Sequence, residues 1–85
     1  MKRLIESENE GMESLFGETI TLFCMNYIYT GKLIGVNDTC VLLENPKIVY
    51  ETGSFNKADW SDAQSLPNKH LYVMNSAVES FGVMK

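Results

Sequence analysis

The chain has 85 residues, 45% of them hydrophobic and 21% charged, and its net charge at neutral pH is −4. This length fits one domain, and the apolar fraction is high enough to exclude a disordered chain. Proteins that bind the phosphate backbone nonspecifically are normally basic, so the acidic balance argues against that class. Because a domain of this size has a thin core, we expect it to need a partner or self-association.

Residues 1–17 are predicted to form an N-terminal helical segment. The apolar residues of this segment fall on one helical face, and its glutamates lie opposite. Gly11 weakens the middle of the helix. Four of residues 1–8 are charged and no long apolar run follows, so we predict neither a signal peptide nor a membrane span and expect a cytoplasmic protein.

Residues 18–82 are predicted to form a β-barrel, because β-branched and aromatic residues alternate along them. The five predicted strands cover residues 19–25, 27–36, 39–51 with an interruption at Pro46, 70–74 and 77–81. Gly31 and Gly35 lie on one face of the second strand, where a small barrel bends sharply. A long irregular loop is expected at about 52–69. The predicted fold is therefore mainly β, with an N-terminal α-helix and a strongly bent five-stranded barrel in a single domain.

Candidate catalytic and metal-binding residues are few. Cys24 and Cys40 lie in separate predicted strands, and His70 is the one histidine. This pattern favours buried, reduced thiols over a disulfide or a metal site. With no nucleophile paired to a base and no phosphate-binding loop, we predict neither enzyme activity nor a cofactor.

The segment YTGKLIGVNDTCVLLEN, residues 29–45, resembles the first sequence motif of the Sm and Sm-like proteins. It has the glycine, the aliphatic residue two positions later, the turn and the aliphatic strand of that motif. Its ending LLEN is closest to the bacterial Hfq branch. Residues 73–78, VMNSAV, are a weaker match to the second motif. The resemblance covers about residues 15–81.

The resemblance implies a ring of six or seven copies, joined through the fourth strand of one subunit and the fifth strand of the next. Edge-to-edge pairing would also relieve the two unpaired strand edges of a small barrel. The residues implied in the subunit interface are His70, Leu71, Tyr72, Val73, Met74, Ala77, Val78, Glu79, Ser80 and Phe81.

The resemblance further implies binding of uridine- or adenine-rich RNA through two turns at the inner rim of the ring. The corresponding residues here are Asn37, Asp38, Thr39, Asn75 and Ser76. The chain departs from the family pattern, because Thr39 replaces a stacking side chain, Val41 cannot read a base edge, and Met74 replaces an arginine. We therefore expect weak RNA binding, or binding through a nonstandard surface around the long loop that includes Lys47, Lys57 and Lys69.

Trp60 lies in the predicted polar loop, where core packing does not require it. A contact with a protein partner and a lid over the domain's own barrel would both explain it. The alternative function is therefore a ring-shaped scaffold that binds a protein through the 52–69 loop and binds no nucleic acid. The acidic balance favours the scaffold, and the family resemblance favours single-stranded RNA, which we prefer.

Overall fold

The computed structural model describes residues 11–56 and 59–84. Its six strands are β1 (Thr19–Cys24), β2 (Ile28–Val36), β3 (Cys40–Glu51), β4 (Asp62–Ser65), β5 (His70–Met74) and β6 (Val78–Val83). Short 3-10 turns occupy Met12–Leu15 and Asn75–Ala77. The described part of the chain is mainly β, which confirms the prediction from the alternating pattern.

The predicted N-terminal helix is not confirmed. Residues 1–10 lie outside the described residues, and residues 11–17 contain only the 3-10 turn Met12–Leu15. Gly11 and Gly17 flank this turn with φ values of 74° and 88°. A right-handed helix cannot contain such left-handed conformations, so the two glycines limit the helical structure to one turn.

The strands form one antiparallel sheet in the order β4-β3-β2-β1-β6, and β5 also pairs with β3. On the edge of β3 opposite β2, the first half of β3 pairs with β5 and the second half pairs with β4. The sheet is open and six-stranded, where the sequence predicted a five-stranded barrel. The additional strand, β4, lies within the predicted loop 52–69. Its side chains are mostly exposed, because an edge strand can satisfy its backbone on β3 while its side chains stay in water.

A bulge in β3 bends the sheet beside β2. Asn45 has a φ of 51°, and Asn45 and Pro46 together face the single residue Gly31 of β2. A Cβ atom on Gly31 would lie 3.2 Å from the backbone oxygen of Glu44. The interruption predicted at Pro46 is therefore a bulge within one continuous strand, and the close approach requires glycine at position 31.

One face of the sheet carries the hydrophobic core and is called the core face below. The buried side chains that form this core are Ile20, Leu22, Leu33, Val41, Leu43 and Val73. They follow the two-residue period of the strands, and Met12 and Leu15 of the first 3-10 turn pack against them. The opposite face, called the outer face, includes Thr21 and Thr30, which are also buried.

Candidate functional site

Three strands have only one strand neighbour among the described residues: β4, β5 and β6. Two of them, β5 and β6, contain most of the residues predicted to join subunits. In an antiparallel pair, the backbone groups of alternate residues point toward the neighbouring strand, and those of the residues between them point away. The hydrogen bonds at the strand ends therefore show which residues of each edge face outward.

The outward-facing backbone groups of β5 belong to His70, Tyr72 and Met74. At one end of β5 the amide of Asn75 donates to the carbonyl of Thr39 (2.9 Å), and beyond the other end the amide of Asn45 donates to the carbonyl of Lys69 (3.1 Å). Both bonds join odd-numbered residues, and the register between β3 and β5 has no bulge. The odd-numbered residues of β5 thus point toward β3, and the even-numbered ones point away from it.

On β6 the outward-facing backbone groups are those of Phe81 and Val83. The amide of Met84 donates to the carbonyl of Thr19 (2.9 Å), and the register continues with Gly82 opposite Thr21. The even-numbered residues at this end of β6 therefore bond to β1. Val83 lies beyond the end of the predicted fifth strand, residues 77–81, because β6 continues to Val83.

Four large apolar side chains on these two edges are exposed. Tyr72 and Met74 of β5 are 67% and 55% exposed, and Phe81 and Val83 of β6 are 40% and 46% exposed. All four belong to residues whose backbone groups face outward. Directly opposed residues of an antiparallel pair place their side chains on the same side of the sheet. If β5 of one copy paired with β6 of another, these four side chains would pack together.

The other residues predicted for the subunit interface are divided between core and surface. Val73 is buried in the core, and Leu71 and Val78 pack partly against it. Ala77 ends the second 3-10 turn, and its carbonyl accepts a hydrogen bond from the amide of Met25 (3.1 Å). Glu79 and Ser80 are exposed.

The first predicted RNA-binding turn is closed by the side chain of Asn37. Its Oδ1 atom accepts hydrogen bonds from the amide of Thr39 (2.8 Å), the hydroxyl of Thr39 (3.1 Å) and the amide of Cys40 (2.9 Å). This arrangement is an Asx turn, in which a short side chain replaces a backbone acceptor. Asp38 lies exposed inside the turn. The side-chain carbonyl group of Asn37 therefore has a structural role.

The second predicted turn lies directly against the first. The side-chain amide of Asn75 donates to the backbone carbonyl of Asn37 (3.0 Å), and the backbone amide of Asn75 donates to the carbonyl of Thr39. Ser76 lies exposed in the same 3-10 turn. The structure thus brings the five predicted rim residues together, and both asparagines contribute hydrogen bonds that hold the turns in place.

The predicted lysines are not part of this cluster. Lys57 lies outside the described residues. Lys69 is exposed at the end of β5 far from Asn75, and the six steps along the chain from one residue to the other span roughly 20 Å in an extended strand. A surface that included Lys69 would therefore be separate from the rim turns.

Trp60 packs on the outer face of its own sheet. Its ring lies edge-to-face on Phe23, with ring centroids 6.0 Å apart and planes at 84°. Its indole nitrogen donates to the hydroxyl of Thr21 (3.3 Å), and this hydroxyl in turn donates to the sulfur of Met84 (2.8 Å). Trp60 remains half-buried, so the predicted contact with a partner stays a prediction.

An open groove of about 1110 Å³ adjoins Trp60 on the outer face. Its charged lining residues are Glu18, Lys32, Glu44, Lys47, Asp59 and Asp62. The formal charge of these six side chains is −2, since four are acidic and two are basic. The groove is therefore more suitable for a cationic group than for phosphate.

Both cysteines are half-buried and neither belongs to a disulfide, so the predicted burial of the thiols is only partial and their reduced state stays a prediction. Burial raises the pKa of the Cys24 thiol above its ordinary value, and the nearby charge of Glu79 raises it further. Burial likewise raises the pKa of Tyr29. The hydroxyl of Tyr50 donates to the carboxylate of Asp62, and this bond raises the pKa of Tyr50.

Comparison of the chain with protein-family models, curated proteins and solved structures finds no match. In the described ranges, no group of three or more histidine, cysteine or acidic side chains is placed to hold a metal ion. No helix among these residues is long and apolar enough to cross a membrane. The candidate site therefore consists of the outward-facing edges of β5 and β6 and the paired rim turns.

Proposed function

We propose that the protein is an Sm-like ring-forming protein, in which β5 of each copy pairs antiparallel with β6 of the next copy. The observation that carries this proposal is the match between the two edges. Each edge presents outward-facing backbone groups, and the same residues carry its exposed apolar side chains, such as Tyr72 and Phe81. Pairing would satisfy the backbone groups and bury the apolar surface in one step.

The pairing that uses the full length of β5 places His70 opposite Val83, Tyr72 opposite Phe81, and Met74 opposite Glu79 of the next copy. An aromatic pair such as Tyr72 with Phe81 typically contributes about 0.5–1 kcal/mol in a sheet. Each copy offers one edge of each kind, so the contact is heterologous and ends only when the chain of copies closes. The family resemblance gives six or seven copies.

Proline substitution at alternate residues of β5 tests the proposal. Tyr72→Pro removes an amide that faces outward, where an edge strand tolerates proline, so we expect a folded monomer. Tyr72→Thr is the control, because it truncates the side chain and keeps the amide. Val73→Pro removes an amide that points toward β3 and should unfold the subunit. Size-exclusion chromatography with light scattering gives the mass, and circular dichroism reports folding.

The wild-type protein should elute as a hexamer or a heptamer, and Tyr72→Pro as a folded monomer. A wild-type monomer at micromolar concentration would contradict the ring. A Tyr72→Pro protein that keeps the wild-type mass would contradict pairing through β5.

For the ring we propose weak binding of single-stranded RNA with little preference for uridine. The side-chain oxygen of Asn37 is already bonded within its turn, and Thr39 and Val41 offer neither a stacking face nor an amide. Stacking contributes roughly 1–3 kcal/mol per base, so its loss in every subunit lowers the affinity of a ring steeply. A hexamer would also carry six times the chain's charge of −4, which repels phosphate at low salt.

A panel of oligo-U, oligo-A and mixed RNA at several salt concentrations tests this part of the proposal. Lys57→Glu combined with Lys69→Glu should weaken binding more than Thr39→Ala does. Tight binding that is specific for uridine and depends on Thr39 would contradict it.

The second candidate function is a ring-shaped scaffold without a nucleic-acid ligand. The acidic groove beside Trp60 favours this function, because its carboxylates outnumber its lysines. A scaffold of this kind would take a cationic segment of a protein partner. The absence of binding to every RNA of the panel at low salt would favour the scaffold over the RNA-binding ring.

A further inference from the structure

We infer that Trp60, Thr21 and Met84 form a latch that holds the end of β6 in the position required for subunit pairing. This inference rests on the proposed function, since it concerns the control of the same β6 edge. The latch lies on the outer face, and none of its three residues belongs to the β5–β6 pairs proposed above. It would therefore affect assembly through the conformation of β6 alone.

The latch joins three distant segments through one hydroxyl group. Thr21 Oγ1 accepts from Trp60 Nε1, 39 positions away in the sequence, and donates to Met84 Sδ, 63 positions away. A threonine hydroxyl has one proton and two lone pairs, so both bonds can exist together. Thr21 is only 3% exposed. The hydroxyl is thus shielded from water that would otherwise compete for these bonds.

Met84 is the point at which the latch reaches the interface strand. The amide of Met84 donates to the carbonyl of Thr19. Met84 also directly follows Val83, whose backbone groups face outward for pairing. Among the described residues, β6 has β1 as its one strand neighbour, and strands paired on one side open more readily than those paired on both. By holding the Met84 side chain, the latch favours the extended conformation in which Val83 can pair.

Coupling of this kind acts in both directions. If the seated position of Trp60 favours pairing of β6, pairing must favour the seated position of Trp60 by the same factor. Assembly should therefore protect the Trp60 ring from solvent, although the ring is outside the interface. A protein partner that drew Trp60 off the outer face would weaken the ring of subunits.

Trp60 is the sole tryptophan of the chain, so its fluorescence reports the latch directly. Acrylamide should quench it more strongly in the monomeric Tyr72→Pro variant than in the assembled protein. Thr21→Val keeps the shape of the side chain and removes both bonds. We expect it to increase quenching and to raise the dissociation constant of the assembly roughly fivefold.

Thr30→Val is the matched control. Thr30 lies opposite Thr21 in the register, is also buried, and donates to the carbonyl of Ile20 (2.9 Å). This variant loses one hydrogen bond but leaves the latch intact, so it should not alter the quenching of Trp60. Equal effects of the two valine variants on quenching and on assembly would overturn the latch.

Hydrogen exchange separates the latch from the ring itself. If the wild-type protein is monomeric, the proposed ring fails, and the Met84 amide still tests the latch within one subunit. Exchange of that amide should be several-fold faster in Thr21→Val than in Thr30→Val. The same exchange rate in both variants would overturn the latch, whatever the state of assembly.

Discussion

Gly31→Ala should destabilise the sheet more than alanine at Gly35 or Gly82 does. The added Cβ would lie 3.2 Å from the carbonyl oxygen of Glu44, 3.2 Å from the Cβ of Leu43 and 3.4 Å from the Cα of Pro46. All three atoms belong to or adjoin the backbone of the β3 bulge, which cannot rotate aside as the end of a side chain can. Overpacking of this kind costs about 1–3 kcal/mol.

Two other glycines of the sheet provide graded controls. A Cβ on Gly35 would meet only atoms of the Leu42 side chain, the nearest at 3.2 Å, and a Cβ on Gly82 would meet nothing within 4 Å. Gly35→Ala should therefore cost about 1 kcal/mol. Gly82→Ala should be neutral or stabilising by up to about 1 kcal/mol, because alanine has less freedom to lose on folding.

Urea denaturation followed by circular dichroism measures these differences at one fixed protomer concentration. With an m value of about 1 kcal/mol/M, a loss of about 2 kcal/mol lowers the midpoint by about 2 M. The urea midpoint should be lowest for Gly31→Ala, higher for Gly35→Ala, and highest for the wild type and Gly82→Ala. Equal midpoints of Gly31→Ala and Gly82→Ala would contradict a close approach of the β3 bulge to Gly31.

The remaining predictions concern the titrating groups and the core. Because the fold raises the pKa values of Cys24, Tyr29 and Tyr50 above ordinary values of 9.0, 10.0 and 10.0, stability should be full below about pH 9 and decline as these groups ionise. Urea midpoints that stayed constant up to pH 11 would contradict this. Glu79→Gln should accelerate alkylation of Cys24 at neutral pH, since it removes a charge that disfavours the thiolate, and an unchanged rate would count against that cause. Leu43→Ala, at a fully buried core position, should cost about 2–5 kcal/mol in a denaturant titration, and a loss below 1 kcal/mol would mean that the core is not packed as described.

The sequence predicts the strands whose side chains alternate between core and surface. The fourth predicted strand matches β5, His70–Met74, at both ends, and the predicted first and second strands differ from β1 and β2 by one residue. β4 has no such alternation, because only Ala63 of its four residues is apolar and partly buried. Its strand conformation depends on hydrogen bonds to β3, which the local sequence does not reveal.

Much less of the candidate site could be predicted. Which residues of β5 and β6 face outward depends on the register with β3 and β1, and hence on contacts between distant parts of the chain. The bond from Asn75 to Asn37 joins residues 38 positions apart. The seat of Trp60 on Phe23 and Thr21 likewise requires the folded sheet, so the sequence left two explanations of this residue open.

Two substitutions of Asn37 can distinguish a structural role in the rim turn from a role in reading RNA. Asn37→Asp keeps an oxygen that can accept from Thr39 and Cys40, whereas Asn37→Ala removes it. If the side chain serves the turn, the alanine variant should lose about 1–2 kcal/mol of stability, as is typical of a lost cap, and the aspartate variant less than about 0.5 kcal/mol.

RNA binding by the same two variants tests whether the Asn37 side chain also contacts a base. The aspartate variant should bind more weakly only through its added charge, and this difference should shrink as salt rises. A base-reading amide would behave differently, because aspartate loses the amide donor and the deficit would persist at high salt. Equal destabilisation of the two variants in urea would contradict the structural role of Asn37, and a deficit of Asn37→Asp that salt does not reduce would show that its amide contacts a base.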